Sequence, residues 1–170
     1  MSMSLNDTPR AMRLHIGLFG RRNSGKSSLI NALTGQHVAT VSDVPGTTTD
    51  PVYKSMEIHG IGPVVFIDTA GFDDSGSLGA LRVERTRDAA KETDIALVLL
   101  STGPDDGAGA AGNEDAFRWL EQLKRRGVPA ISVISRIDES TAAASLAQVI
   151  EARTGERPVL VSAATGEGLA

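Results

Sequence analysis

Gly20-Arg21-Arg22-Asn23-Ser24-Gly25-Lys26-Ser27 fits the pattern G-x-x-x-x-G-K-[ST]. The apolar run Leu14 to Phe19 leads into it, and Lys26 to Leu33 reads as a helix after it. Strand, glycine loop and helix in that order is the context the pattern demands. The glycines let the backbone curl until its N–H groups face a phosphate. The N-terminus of the following helix adds partial positive charge. Lys26 brings a full charge to the β- and γ-phosphates, and Ser27 sets a hydroxyl where Mg2+ binds. Asn23, Ser24, Gly25 and Ser28 complete the expected nucleotide contacts of the loop. A plain glycine turn with a surface lysine would leave the flanking strand and helix unaccounted for.

Working outward, Asp68-Thr69-Ala70-Gly71 ends the buried run Pro63 to Ile67. A carboxylate at that strand end can hold Mg2+ through water, and the Gly71 N–H suits a γ-phosphate. Between the two motifs lies Ser42-Asp43-Val44-Pro45-Gly46-Thr47-Thr48-Thr49-Asp50, of loop composition. Thr48 is the expected second hydroxyl ligand for Mg2+. Lys26, Thr48 and Gly71 form the expected catalytic set.

Phosphate loops also serve ATPases and kinases, so the base is a separate question. Val128 to Ile134 reads as a strand and is followed by Ser135-Arg136-Ile137-Asp138. Guanine carries two adjacent donors that a single carboxylate accepts together, whereas adenine lacks that pair. Asp138 fits that role. After Val159 to Val161, Ser162-Ala163-Ala164 presents backbone N–H groups to guanine O6. In this order the two turns favour guanine.

The rest of the chain agrees with one α/β domain. Its 170 residues are 41% hydrophobic, enough for a single core. With no cysteine, a thiol nucleophile, a disulfide scaffold and a cysteine-held iron–sulfur cluster are excluded from this stretch. A net charge of −4 argues against a broad nucleic-acid footprint. No apolar run approaches the ~18 residues of a membrane helix, and residues 1–12 read as a disordered lead-in. A cytoplasmic location is expected. Strands alternate with helical stretches at Leu78–Glu92, Asn113–Arg126 and Ser140–Arg153, which predicts a mostly parallel sheet flanked by helices. Pro51 to Ile58 alternates polar and apolar residues, as an edge strand does. Asn113 is the expected cap of its helix and Gly127 the stop. His15, His37 and His59 are scattered, and Trp119 is expected in the core.

Taken together, the motifs resemble those of the small GTPases that include the tRNA-modifying GTPase TrmE, Era and Der. Asn23 followed by Lys26 to Leu33, KSSLINAL, is that group's pattern. The resemblance implies a P-loop small-GTPase fold over residues 13–170, with its final helix missing from the chain. The strings GRRNSGKSSLINALTGQ (20–36), VSDVPGTTTDPVYKSMEI (41–58) and GPVVFIDTAGFDD (62–74) more closely resemble the hydrogenase-maturation GTPase family HydF. Residues Thr49 to Glu57 are the most discriminating part. That likeness implies a slow GTP-hydrolysing switch domain of a scaffold for the hydrogenase diiron subcluster. Its implied partners are two radical-SAM maturases and the apo-hydrogenase, with homodimerisation through a further domain or the switch loops. The alternatives are a tRNA-modification or ribosome-assembly GTPase, and a nucleotide-sensing module with incidental turnover.

The TrmE likeness further implies a K+ ion held by Asn23, the carbonyls of Ser42 and Val44, and Thr47. Two departures stand out. The usual [NT]-K-x-D is here Ser135-Arg136-Ile137-Asp138. In the family, Asn braces the phosphate loop; Ser is shorter and is expected to fall short, weakening affinity, while Arg136 stacks on the base. The water-orienting residue of TrmE has no clear equivalent at Ser77-Leu78-Gly79-Ala80, and Asp73 and Asp74 are the nearest acids.

Overall fold

A computed structural model describes residues 12–21, 24–34, 52–58, 60–69, 77–102 and 113–169. The elements in order are β1 (Leu14–Gly20), α1 (Lys26–Thr34), β2 (Val52–Ile58), β3 (Gly62–Asp68) and α2 (Ser77–Lys91). They continue as β4 (Ile95–Ser101), α3 (Glu114–Arg125), β5 (Ala130–Ser135), α4 (Ala143–Thr154) and β6 (Val159–Leu160). A single 3-10 turn, Ile137–Glu139, follows β5. The six strands form one sheet in the order β2-β3-β1-β4-β5-β6.

All neighbours are parallel except β2, which runs antiparallel to β3. The short β2–β3 connection requires that reversal, since a parallel return needs a crossover of a dozen residues or more. Gly60, at φ +85°, and Gly62, at φ +99°, take backbone angles that side chains disfavour there. On β2, Tyr53, Ser55 and Glu57 are exposed while Lys54, Met56 and Ile58 are half-buried, as its alternation predicts.

The sheet's two faces carry two cores. On one, Phe19, Val98, Leu100 and Ile134 pack with Trp119, Leu123, Leu146 and Ile150 of α3 and α4. Phe19 and Trp119 stack with ring centroids 5.3 Å apart. On the other, Leu18, Phe66, Leu99 and Val133 pack with Leu29 and Ile30 of α1. Strand alternation explains the division, because adjacent residues such as Leu18 and Phe19 point to opposite faces. Among the described residues, no helix is long and apolar enough to cross a membrane.

Three local readings differ from the structure. Asn113 stands at the N-cap position of α3, but its side chain makes no cap hydrogen bond. Instead its Oδ1 accepts from the Ser101 N–H at 3.1 Å and its Nδ2 donates to the Ser101 carbonyl at 3.3 Å. The buried end of β4 needs both partners, whereas Glu114 and Asp115 already complement the helix N-terminus. Strand β5 begins at Ala130 rather than Val128. Pro129 has no N–H to donate, although its carbonyl accepts from Ala96 at 2.9 Å. Helix α4 begins at Ala143 rather than Ser140, whose Oγ accepts from the Ala142 N–H at 3.1 Å and closes a turn.

Gly17, inside β1, is closely packed. A Cβ there would lie 2.5 Å from Thr93 Oγ1 and 2.7 Å from a ring carbon of Phe19. Thr93 is itself fixed by donating to the Ala89 carbonyl at 2.9 Å. Gly17→Ala is therefore expected to destabilise the domain by about 1–3 kcal/mol. The check is a urea midpoint shifted downward at unchanged slope; an unmoved midpoint would contradict this packing.

Candidate nucleotide site

Parallel strands bring their C-terminal ends to one edge of the sheet, and the functional segments leave from that edge. Gly20 ends β1, Asp68 ends β3, Ser101 ends β4 and Ser135 ends β5. Strand β1 lies between β3 and β4, so successive connections diverge to either side of it. Such a switch point opens a crevice beyond the strand ends.

The loop after β1 is shaped by close approach. A Cβ on Gly20 would lie 2.5 Å from Ser24 Oγ and 3.2 Å from Leu99 Cβ. Gly25 takes φ +91° and its carbonyl accepts from the Leu29 N–H at 2.8 Å, starting α1. Lys26 is buried, and its Nζ donates to the carbonyls of Gly20 at 2.9 Å and Arg21 at 2.8 Å. The ammonium is thus folded into the concavity of the loop. Ser24 Oγ is buried and has no hydrogen-bond partner among the described residues; it occupies the space beside the missing Gly20 side chain.

Ser27 Oγ donates to Asp68 Oδ2 at 2.9 Å, joining the start of α1 to the end of β3. Burial pushes the Asp68 carboxyl above the usual carboxylate range, against the opposing pull of Lys26, Ser27 and Lys54. Thr69 Oγ1 donates to the Leu18 carbonyl at 2.6 Å and anchors the turn after Asp68 to β1. A hydroxyl and a carboxylate side by side are the hard oxygen donors that suit Mg2+. Among the described residues, no group of three or more His, Cys, Asp or Glu side chains gathers as a metal site.

The second half of the site joins the first directly. Ser135 Oγ donates to the Ser24 carbonyl at 2.6 Å, with the Leu100 carbonyl 3.3 Å away. The expectation that serine falls short of the phosphate loop is therefore overturned. The loop comes close enough for a one-carbon side chain to bridge the gap. Arg136 follows in the left-handed region at φ 58° and ψ 35°. Non-glycine residues rarely adopt it, and such strain gathers at functional sites. Asp138 Oδ1 accepts from Ser162 Oγ at 2.6 Å, so the turn after β6 orients the carboxylate. The Ser162 carbonyl in turn accepts from the Gly166 N–H at 2.9 Å, and Ser162 N–H donates to the Glu167 carbonyl at 3.0 Å.

A cavity of about 450 Å³ runs between these halves. Gly25, Lys26, Ser27 and Ser28 line one end. Arg136, Asp138, Ala163 and Ala164 line the other, with Leu29 and Val161 as apolar wall. That volume lies within the usual range for small-molecule pockets. Of the expected site residues, Asn23, Ser42, Val44, Thr47, Thr48 and Gly71 lie outside the described residues, as do Asp73 and Asp74.

Sequence reasoning missed two features. Ser162 was expected to offer only backbone, yet its hydroxyl holds Asp138. Glu139 also lines the cavity and is ion-paired with Arg136. The i,i+3 spacing of Arg136 and Glu139 was the available signal.

Comparison with known proteins gives the context. Residues 15–136 match the model of the family described as 50S ribosome-binding GTPase. The tRNA modification GTPase MnmE of Chromobacterium violaceum is 37% identical over 157 residues, covering 92% of this chain and 32% of that protein. GTPase Der of Wolinella succinogenes is 44% identical over 99 residues, covering 56% of this chain and 20% of its own. The chain spans about a third of the length of the MnmE relatives it matches. Among solved structures, Era in complex with MgGDPNP and a segment of 16S ribosomal RNA superposes with a TM-score of 0.72 at 26% identity, covering 89% of this chain and 51% of that one. The G domain of the Thermotoga maritima iron transporter FeoB gives 0.62 at 25% identity, covering 92% of each chain. With the matched model spanning β1 through Arg136 and the strand-end cavity in the expected place, this chain belongs to the 50S ribosome-binding GTPase family and forms a GTP-binding GTPase domain.

Proposed function

We propose that the cavity binds GTP with its phosphates at Lys26 and its guanine at Asp138, and that slow hydrolysis makes the domain a switch. The observation that carries this reading is that one cavity has Lys26 and Ser27 at one end and Asp138 and Ala163 at the other. Lys26 exchanges the Gly20 and Arg21 carbonyls for β- and γ-phosphate oxygens, helped by the N–H groups of Asn23, Ser24, Gly25, Ser27 and Ser28. Ser27 and Thr48 would hold Mg2+ by their hydroxyls, with Asp68 acting through water. When bound, the ion offsets charge on the phosphate oxygens. Gly71 offers its N–H to the γ-phosphate. Asp138 accepts from the two guanine donors, Arg136 lies on the base, and Ala163 donates its N–H to O6. Slow turnover is supported by the lack of an evident arginine finger among the described residues of the cavity: Arg136 belongs to the base end and Arg21 to the phosphate loop itself.

The type of cellular process is a finer matter. A tRNA-modification or ribosome-assembly role is favoured by MnmE relatives matched over 92% of this chain and by the Era structure in complex with RNA. The hydrogenase-maturation reading, with its radical-SAM and apo-hydrogenase partners, is supported by the strings at 20–36, 41–58 and 62–74, residues 49–57 above all. Complementation by the full-length protein of a strain lacking the tRNA-modification GTPase, run beside a hydrogenase-maturation assay, separates the two. Rescue of only the second would reverse the preference.

Three outcomes test the nucleotide chemistry. Lys26→Ala removes a charge-assisted contact of about 2–5 kcal/mol, so GDP affinity falls by roughly 30-fold to several thousand-fold. Calorimetry showing unchanged affinity in this variant would dismiss the phosphate-loop role. Asp138→Asn replaces an acceptor pair with one donor and one acceptor, and xanthine has a carbonyl where guanine has an amine. The GDP-over-XDP preference should therefore reverse in a competition titration; a retained ratio would clear Asp138 of base reading. Finally, K+ held by Asn23, Ser42, Val44 and Thr47 would supply the missing positive charge. GTP hydrolysis should then run faster in KCl than in NaCl at equal ionic strength, with Asn23→Ala abolishing the difference. Equal rates in both salts, for a protein that binds GTP, would reject the K+ site.

A further inference from the structure

The chain departs from its family's usual lysine at Arg136, and the residue three positions on answers that change. Arg136 precedes the single 3-10 turn Ile137–Glu139. The turn brings the side chains of positions 136 and 139 together. The Glu139 carboxylate is ion-paired there with the Arg136 guanidinium. Both side chains are only part-exposed, at 27% for Arg136 and 38% for Glu139, and both line the cavity. Asp138, between them, is turned to Ser162 instead. The backbone beneath is held as well. The Arg136 carbonyl accepts from the Glu139 N–H at 3.0 Å and from Thr102 Oγ1 at 3.4 Å.

Chemistry gives the pair a purpose. A lysine covers a base with its aliphatic stem, and the roll of its ammonium is immaterial. A guanidinium is flat and covers a base only when its plane lies parallel to the ring. A fixed carboxylate restrains that plane, here through Glu139 Oε2 on Arg136 Nη2, because a carboxylate bonds a guanidinium best from within its plane. Glu139 would otherwise be a poor neighbour, a second negative charge beside Asp138 in a cavity that takes an anionic ligand.

We propose that Glu139 is a positioning residue for guanine: it fixes the plane of the Arg136 guanidinium so that Arg136 covers one face of the base beside Asp138. The inference rests on the guanine-nucleotide reading of this cavity. It gives Glu139 opposite effects depending on Arg136. With Arg136 present, the carboxylate aids binding. With Arg136 replaced by an uncharged stem, the same carboxylate only repels.

The test is a double-mutant cycle on the full chain, read by titration with fluorescent methylanthraniloyl-GDP. Glu139→Gln is expected to weaken binding about threefold to fivefold, in keeping with one part-exposed ion pair. Glu139→Asp, one methylene shorter, should fall between. In an Arg136→Met background, Glu139→Gln should leave affinity unchanged or raise it slightly. An Arg136→Lys background should likewise shrink the loss, and it decides the matter if the Met variant does not fold. The melting temperature of the nucleotide-free protein should be the same with Glu or Gln at 139. An equal loss in every background would mean that Glu139 touches the nucleotide itself, and would overturn the inference. So would a loss of affinity that tracks a lowered melting temperature, or no loss at all. If the unaltered protein fails to bind the labelled GDP, the nucleotide reading falls and takes this inference with it. Normal binding with a failed cycle removes this inference alone.

Discussion

Ser135 and Ser24 are 111 residues apart in the chain, yet the hydroxyl of one donates to the carbonyl of the other at 2.6 Å. Both side chains are buried. An unpaired polar group in such a place costs about 1–3 kcal/mol, so the bond strongly resists being broken. It ties the loop after β1 to the end of β5, and these two segments hold opposite ends of the cavity. A site assembled from separate strand ends keeps a fixed length only when those ends are tied together. Here that length is set by one hydrogen bond, backed by the β1–β4–β5 ladder beneath it.

That ladder explains why the bond is dependable. Strands β1, β3, β4 and β5 are interior to the sheet and their middle residues are buried on both faces. The tight fit at Gly17 and the stacked rings of Phe19 and Trp119 leave β1 little freedom to slide against its neighbours. Thr69 repeats the device on the other side, tying the end of β3 to β1 by a 2.6 Å bond to the Leu18 carbonyl. Rigid strands and short polar ties together hold Lys26, Ser27 and Asp68 in one group.

Much of this was legible in the residues. The glycine loop, the apolar runs and the strand–helix alternation specify a mostly parallel sheet, and Asp68 and Asp138 stand where strand ends predict. The likeness to TrmE, Era and Der agrees with the family match, while the finer likeness at Thr49–Glu57 stays a local sequence feature. What could not be read was three-dimensional distance. Whether Ser135 reaches the loop depends on how closely α1 approaches β5, which no periodicity records. Asn113 looked like a helix cap because its neighbours in sequence are helical, but its actual partner, Ser101, lies across a buried strand end. The hydroxyl of Ser162 was invisible for the same reason, since Asp138 is 24 positions away.

Lys26 has one more consequence. Its ammonium is answered by two peptide oxygens of its own loop. An incoming nucleotide therefore competes with the loop's own carbonyls, and the free energy of capture is only the difference between the two partners. On the proposed reading the same oxygens are there to take the ammonium back from a phosphate, which spares the protein a bare buried charge. For a domain proposed to alternate between two nucleotide states, that reversibility matters more than the tightest possible grip.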